Sequence, residues 1–77
     1  REDNMEYEIM LGLRMSNGIN KKKFYNEFGK NIDECYNYSR LINDGFIIDD
    51  KGNVYIPESK FYISNEIIVE FIRGEVV

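Results

Sequence analysis

The sequence predicts a mainly helical α+β fold, with a three-helix core followed by a β-hairpin and a C-terminal helix. Three observations lead to it. Apolar residues recur every three or four positions through most of the 77 residues, the period of amphipathic helices. Gly18, Gly29 and Gly45 interrupt that period where one helix can stop and another begin. Two short β-prone runs, Phe46-Ile47-Ile48 and Val54-Tyr55-Ile56, flank the turn-forming stretch Asp49-Asp50-Lys51-Gly52-Asn53.

The first helix is predicted over Glu6 to Met15, where Met5, Ile9 and Leu13 repeat at i, i+4, i+8 with Met10 beside them, an ordinary core stripe. Tyr7, Leu11 and Met15 repeat with the same spacing on roughly the opposite side. That side is too apolar for a solvated face, so a cover is expected over it. Ser16-Asn17-Gly18 breaks the helix. Asn20 then suits the N-cap of a second, short helix, with Ile19 and Phe24 at the two positions of a hydrophobic staple. This helix buries Phe24 and Phe28 and stops at Gly29, which tolerates a left-handed backbone. Asn31 caps a third helix, with Glu34 at the N3 position and Asp33 and Glu34 at the positive end of the dipole, and Gly45 ends it. Ile32, Cys35 or Tyr36, Ser39 and Ile42 share its inner side, flanked by Tyr38 and Leu41. After the hairpin, Pro57 closes the second strand, because it cannot donate a ladder hydrogen bond. Ser64 caps the last helix, Asn65 to about Arg73, whose apolar face is Ile67, Ile68, Phe71 and Ile72.

Composition narrows the possible functions. With 43% hydrophobic, 14% aromatic and 31% charged residues the chain is a soluble globular domain rather than a disordered tail. At 77 residues it forms a single domain of modest stability. A net charge of −4 opposes phosphate backbones and anionic lipid. One cysteine, Cys35, allows neither an internal disulfide nor a thiolate cage, which suits the reducing cytoplasm. No apolar run approaches a bilayer span, and Arg1-Glu2-Asp3-Asn4 is no signal peptide. A start at Arg1, without an initiator methionine, suggests a piece excised from a longer protein.

Three helices and a hairpin are the order of a winged helix, whose third helix often enters a DNA groove. Here that helix carries Asp33, Glu34 and Asp44 against the single Arg40, and the hairpin tip adds Asp49 and Asp50. Lys21-Lys22-Lys23 reads as a solvated face, so nucleic acid is disfavoured as a partner. There is no histidine, no Cys-His pair, no phosphate-cradling glycine loop and no metal-ligand spacing, so no catalytic, cofactor-binding or metal-binding residue is assigned. Glu6, Glu8, Asp49 and Asp50 read as solvated carboxylates. Cys35 reads as a small buried thiol, and Met5, Met10 and Met15 as packing rather than haem ligands.

The stretch Met10-Leu11-Gly12-Leu13-Arg14-Met15, followed by Asn17-Gly18-Ile19 and Phe24 to Phe28-Gly29, resembles the start of the C-terminal domain of the oxygen-independent coproporphyrinogen III oxidase family, which includes haem-chaperone relatives. Leu41-Ile42-Asn43-Asp44-Gly45-Phe46-Ile47 and Ser64-Asn65-Glu66-Ile67 resemble later pieces in the same order, so the likeness covers nearly the whole chain. Ile56-Pro57-Glu58-Ser59 stands where the family has a Thr-Pro-Lys-Gly-like turn, and Ser59 accepts positive φ less readily than glycine. The resemblance implies a cytoplasmic parent oxidoreductase whose radical S-adenosylmethionine barrel holds a 4Fe–4S cluster and S-adenosylmethionine. Such a parent either decarboxylates coproporphyrinogen III or binds and delivers haem. The cluster motif lies in the barrel, and no cofactor residue carries over to these positions. The chain is then expected to be a non-catalytic domain that docks on the barrel through Tyr7, Leu11 and Met15, with Arg14 at the rim, shields the active-site mouth from water, and meets porphyrinogen or haem only through its parent. The alternative is a stand-alone winged helix that binds nucleic acid or another protein.

Overall fold

The computed structural model describes residues 2–76, with side chains described from Met5 to Val76. The order is α1 (Glu2–Arg14), β1 (Ile19–Asn20), α2 (Lys21–Phe28), α3 (Ile32–Cys35), α4 (Ser39–Asn43), β2 (Ile48–Asp50), β3 (Asn53–Tyr55), a 3-10 helix (Glu58–Ile63) and α5 (Ser64–Arg73). The fold is α+β, mainly α, and winged-helix-like. Its antiparallel sheet has the order β1-β3-β2, with Ile19 opposite Val54 and Ile48 opposite Tyr55. Ile9 and Leu13 of α1, Ile19, Phe24, Ile32, Val54, Ile56 and the α5 residues Ile67, Ile68 and Phe71 form one buried cluster, with α5 packed against α1.

Local chemistry explains most element ends. Asn20 has an extended backbone, and its Oδ1 accepts the Lys23 N–H at 2.9 Å, capping α2 as expected. Ile19 and Phe24 are both buried at the staple positions. Gly29, at φ 75°, closes α2 by donating its N–H to the Tyr25 carbonyl at 2.7 Å. At the start of α3 the Asn31 N–H donates to Glu34 Oε1 at 3.3 Å.

The sequence expectation fails in five places. α1 starts at Glu2 rather than Glu6 and ends at Arg14. The third helix is not continuous: it stops at Cys35, Tyr36 is extended at φ −137° and ψ 135°, and α4 begins only at Ser39. Ser39 and Ile42, expected on its inner side, are exposed, Ile42 by 38%. Tyr36, expected inside, and Tyr38, expected at the flank, take the inner positions, with ring centroids 5.4 Å and 4.8 Å from Phe71. A helix turns ~100° per residue, so positions 36 and 38 would diverge, whereas extended backbone places them on one side. The strands are shifted, since pairing closes around Lys51 and Gly52, both at positive φ (53° and 82°), as a two-residue hairpin loop requires. β1, too short to show a period, pairs with β3 and was not anticipated. Finally, the 3-10 helix runs directly into α5, so Ile63 and not Ser64 occupies the cap position. Ser59 lies inside that 3-10 helix, and among the described residues Lys51 is the only non-glycine at positive φ, so the departure from the family's turn places no strain on Ser59.

The broken segment is held by backbone and side-chain bonds. Asn37 N donates to the Gly74 carbonyl and Val76 N to the Cys35 carbonyl, both at 2.8 Å, beside a bridge between Tyr36 and Glu75. Asn37 Oδ1 accepts the Ser39 hydroxyl at 2.9 Å. The Tyr38 hydroxyl lies 3.5 Å from Asp49 Oδ2, and Asp49 is paired with Lys21 Nζ at 2.9 Å.

Two outcomes are expected. Burial, and then the neighbouring Asp49 carboxylate, hold the Tyr38 hydroxyl protonated above the usual tyrosine range. The folded chain therefore keeps a proton that the unfolded chain releases near pH ~10, so stability falls as pH rises through that region. Thermal melts from about pH 9 to about pH 11 will show a steeper loss for the unsubstituted chain than for Tyr38→Phe, which keeps the ring and removes the ionising group; equal slopes would contradict the assignment. Gly18 sits at φ 72°, where a Cβ would run into the Val54 carbonyl and the Tyr55 side chain. Gly18→Ala will lower the urea midpoint by clearly more than Gly29→Ala, whose φ is also positive but whose Cβ meets nothing; the latter costs about 1 kcal/mol.

Candidate functional site

The outer face of α1 is apolar and uncovered. Tyr7 and Leu11 on α1 and Met15 just past its end are 59%, 45% and 60% exposed, while Ile9 and Leu13 on the opposite side are fully buried. Arg14 is exposed beside the stripe. α1 therefore carries apolar side chains on two sides, of which only one serves the domain's own core.

Beside this stripe lies a groove of about 460 Å³ between the end of α1, β1 and α2. Buried Ile19 and Phe24 lie at its base, Leu11, Met15 and half-buried Phe28 add apolar wall, and exposed Glu8, Lys23 and Glu27 stand at its edges. Gly12 permits the close approach that shapes it, since a Cβ there would overlap the Ile19 side chain. At the far end Asn53 Nδ2 donates to the Asn17 carbonyl at 2.9 Å, tying the turn after α1 to β3. Sequence periodicity identified the stripe but missed the groove, because the groove depends on β1. The available signal was Gly12, a glycine inside a helix, where close packing is its usual reason.

The remaining candidate residues are dispersed. Glu6 and Glu8 are exposed on α1 and Asp50 on β2, and Asp49 is committed to Lys21. Met5 and Met10 pack half-buried against the core, and Met15 belongs to the exposed stripe. Cys35 is buried, and burial raises its thiol pKa despite the opposing field of Lys30, so the reactive thiolate is disfavoured. Among the described residues no group of three or more histidine, cysteine or acidic side chains is placed to hold a metal ion. One buried thiol does not fit a 4Fe–4S cluster, which needs several thiolates together. Of the three lysines in sequence, Lys21 is engaged with Asp49 while Lys22 and Lys23 face solvent. The helix that would read a DNA groove is split into pieces of 4 and 5 residues. Among the described residues no helix is long and apolar enough to cross a membrane.

Residues 1–59 match the family described as the HemN C-terminal domain. The haem chaperone HemW of Lactococcus lactis subsp. lactis (strain IL1403) is 24% identical over 78 aligned positions, covering 99% of this chain and 21% of that protein. The haem chaperone HemW of Bacillus subtilis (strain 168) is 29% identical over 73 positions, covering 92% of this chain and 19% of that protein. The chain thus spans about a fifth of the length of these relatives. No solved structure matches it. With the family match extending from α1 through the hairpin, this chain belongs to the HemN C-terminal domain family.

Proposed function

We propose that this domain is an accessory module that packs on the radical S-adenosylmethionine barrel of a haem- or porphyrin-handling protein in the cytoplasm and helps to close the barrel's active-site mouth. The uncovered stripe Tyr7, Leu11 and Met15 carries this reading, because a small domain gains nothing from leaving three large apolar side chains in line along α1 and its end in water. Family membership supports an appended role. The haem chaperones among its relatives support haem or porphyrin as the chemistry served. In this reading the cluster and S-adenosylmethionine belong to the barrel. This chain contributes an apolar face that excludes water and an Arg14 guanidinium that pairs at the rim.

Burying one leucine side chain is worth about 1.5–3 kcal/mol, so its replacement by a charge weakens association by at least about tenfold. Anaerobic calorimetry of the 77-residue chain against the purified, cluster-loaded barrel of its family member tests this. Leu11→Asp is expected to lose affinity to that degree, while Tyr62→Asp, at a side chain 82% exposed on the 3-10 helix and not part of the stripe, keeps it. Equal loss from both substitutions, or no association at all, would sink the docking proposal and leave an independent interaction module.

A further inference from the structure

The groove beside the stripe differs from it in chemistry. Its walls are apolar, but Glu8 on α1 and Glu27 on α2 stand at its edges, with Lys23 the only cation among its lining residues. Among the described residues none of these three side chains forms an ion pair; the pairs present are Lys21 with Asp49 and Arg73 with Glu70. The groove edge is therefore net negative in a chain whose overall charge is −4. Apolar walls with unneutralised carboxylates beside them favour an occupant that is apolar at its centre and cationic at its flank. Leu11 and Met15 belong to both stripe and groove, so one partner surface spans the two.

We infer that the groove between α1 and α2 receives a segment of the barrel that presents an aliphatic or aromatic side chain next to an arginine or lysine, the cation pairing with Glu8 and Glu27. This deepens the docking proposal and rests on it. The apolar anchor sets how long the domains stay together, and the charge pair orients them and speeds their encounter. An anionic occupant meets two carboxylates at the same edges and is disfavoured.

The test compares Glu8→Gln/Glu27→Gln with the unsubstituted chain in titrations against the same purified barrel, at salt from about 0.05 to about 0.5 M, bracketing physiological screening. Both glutamates are exposed, so thermal melts of the variant serve to check that the fold persists. The expected result is an affinity about tenfold lower at low salt, as for loss of a close interfacial charge pair, with a flattened salt dependence. Should Leu11→Asp abolish binding while the double variant keeps both affinity and salt dependence, the basic-segment assignment is wrong and docking alone survives. Should the unsubstituted chain not bind the barrel, both proposals fall together.

Discussion

Phe71 can be flanked by two tyrosines of one segment only if that segment is extended. Tyr38 stacks on it at 4.8 Å with planes 18° apart, and Tyr36 tilts against it at 5.4 Å. The winged-helix third helix is divided as a result, and the backbone groups freed by the division need partners, as buried amides do. Gly74 and Val76 supply two of them, from the strand-like tail that follows α5. Aromatic packing, broken helix and C-terminal tail thus depend on one another. Aromatic pairs of this kind contribute about 0.5–1.5 kcal/mol beyond their area burial, a meaningful share of the stability of so small a domain.

Much of the architecture was legible in the sequence because it is written in local chemistry. Asn20, Ile19 and Phe24 define the start of α2, and Gly29 its end, through contacts within a few residues. The same is true of the two faces of α1, which follow from helical period alone. What was not legible depends on distant residues. Asn31 and Gly45 mark the outer limits of the third helical region, but nothing between them announces that Tyr36 leaves the helix; the reason sits in α5. β1 carries only two residues and exists because Val54 and Asn53 lie opposite Ile19 and Asn20. Ser64 is a good capping residue placed where the preceding 3-10 helix removes the need for a cap.

The candidate surface divides in the same way. Tyr7, Leu11 and Met15 were readable as a stripe, but the partnership of Leu11 and Met15 with Phe28 in the groove came from the approach of β1 at Gly12. The acidic third-helix region, which argued against nucleic acid from charge alone, also proves too fragmented to lie along a groove as a single rod. Charge and geometry lead away from the use to which this topology is often put, and the exposed apolar stripe lies on the first helix and the turn after it.

Because the two rings close on Phe71, the order of synthesis matters. A nascent chain that has emerged only as far as Pro57 holds every helix and strand of the winged-helix core, yet lacks the ring between Tyr36 and Tyr38 and the carbonyl that receives Asn37. Up to that point the extended segment has only the Asn37–Ser39 and Tyr38–Asp49 side-chain contacts to hold it. The ring contacts to Phe71 and the bond to Gly74 arrive with the final helix, so the middle of this fold is completed by contacts that are distant along the chain, the kind that form slowly.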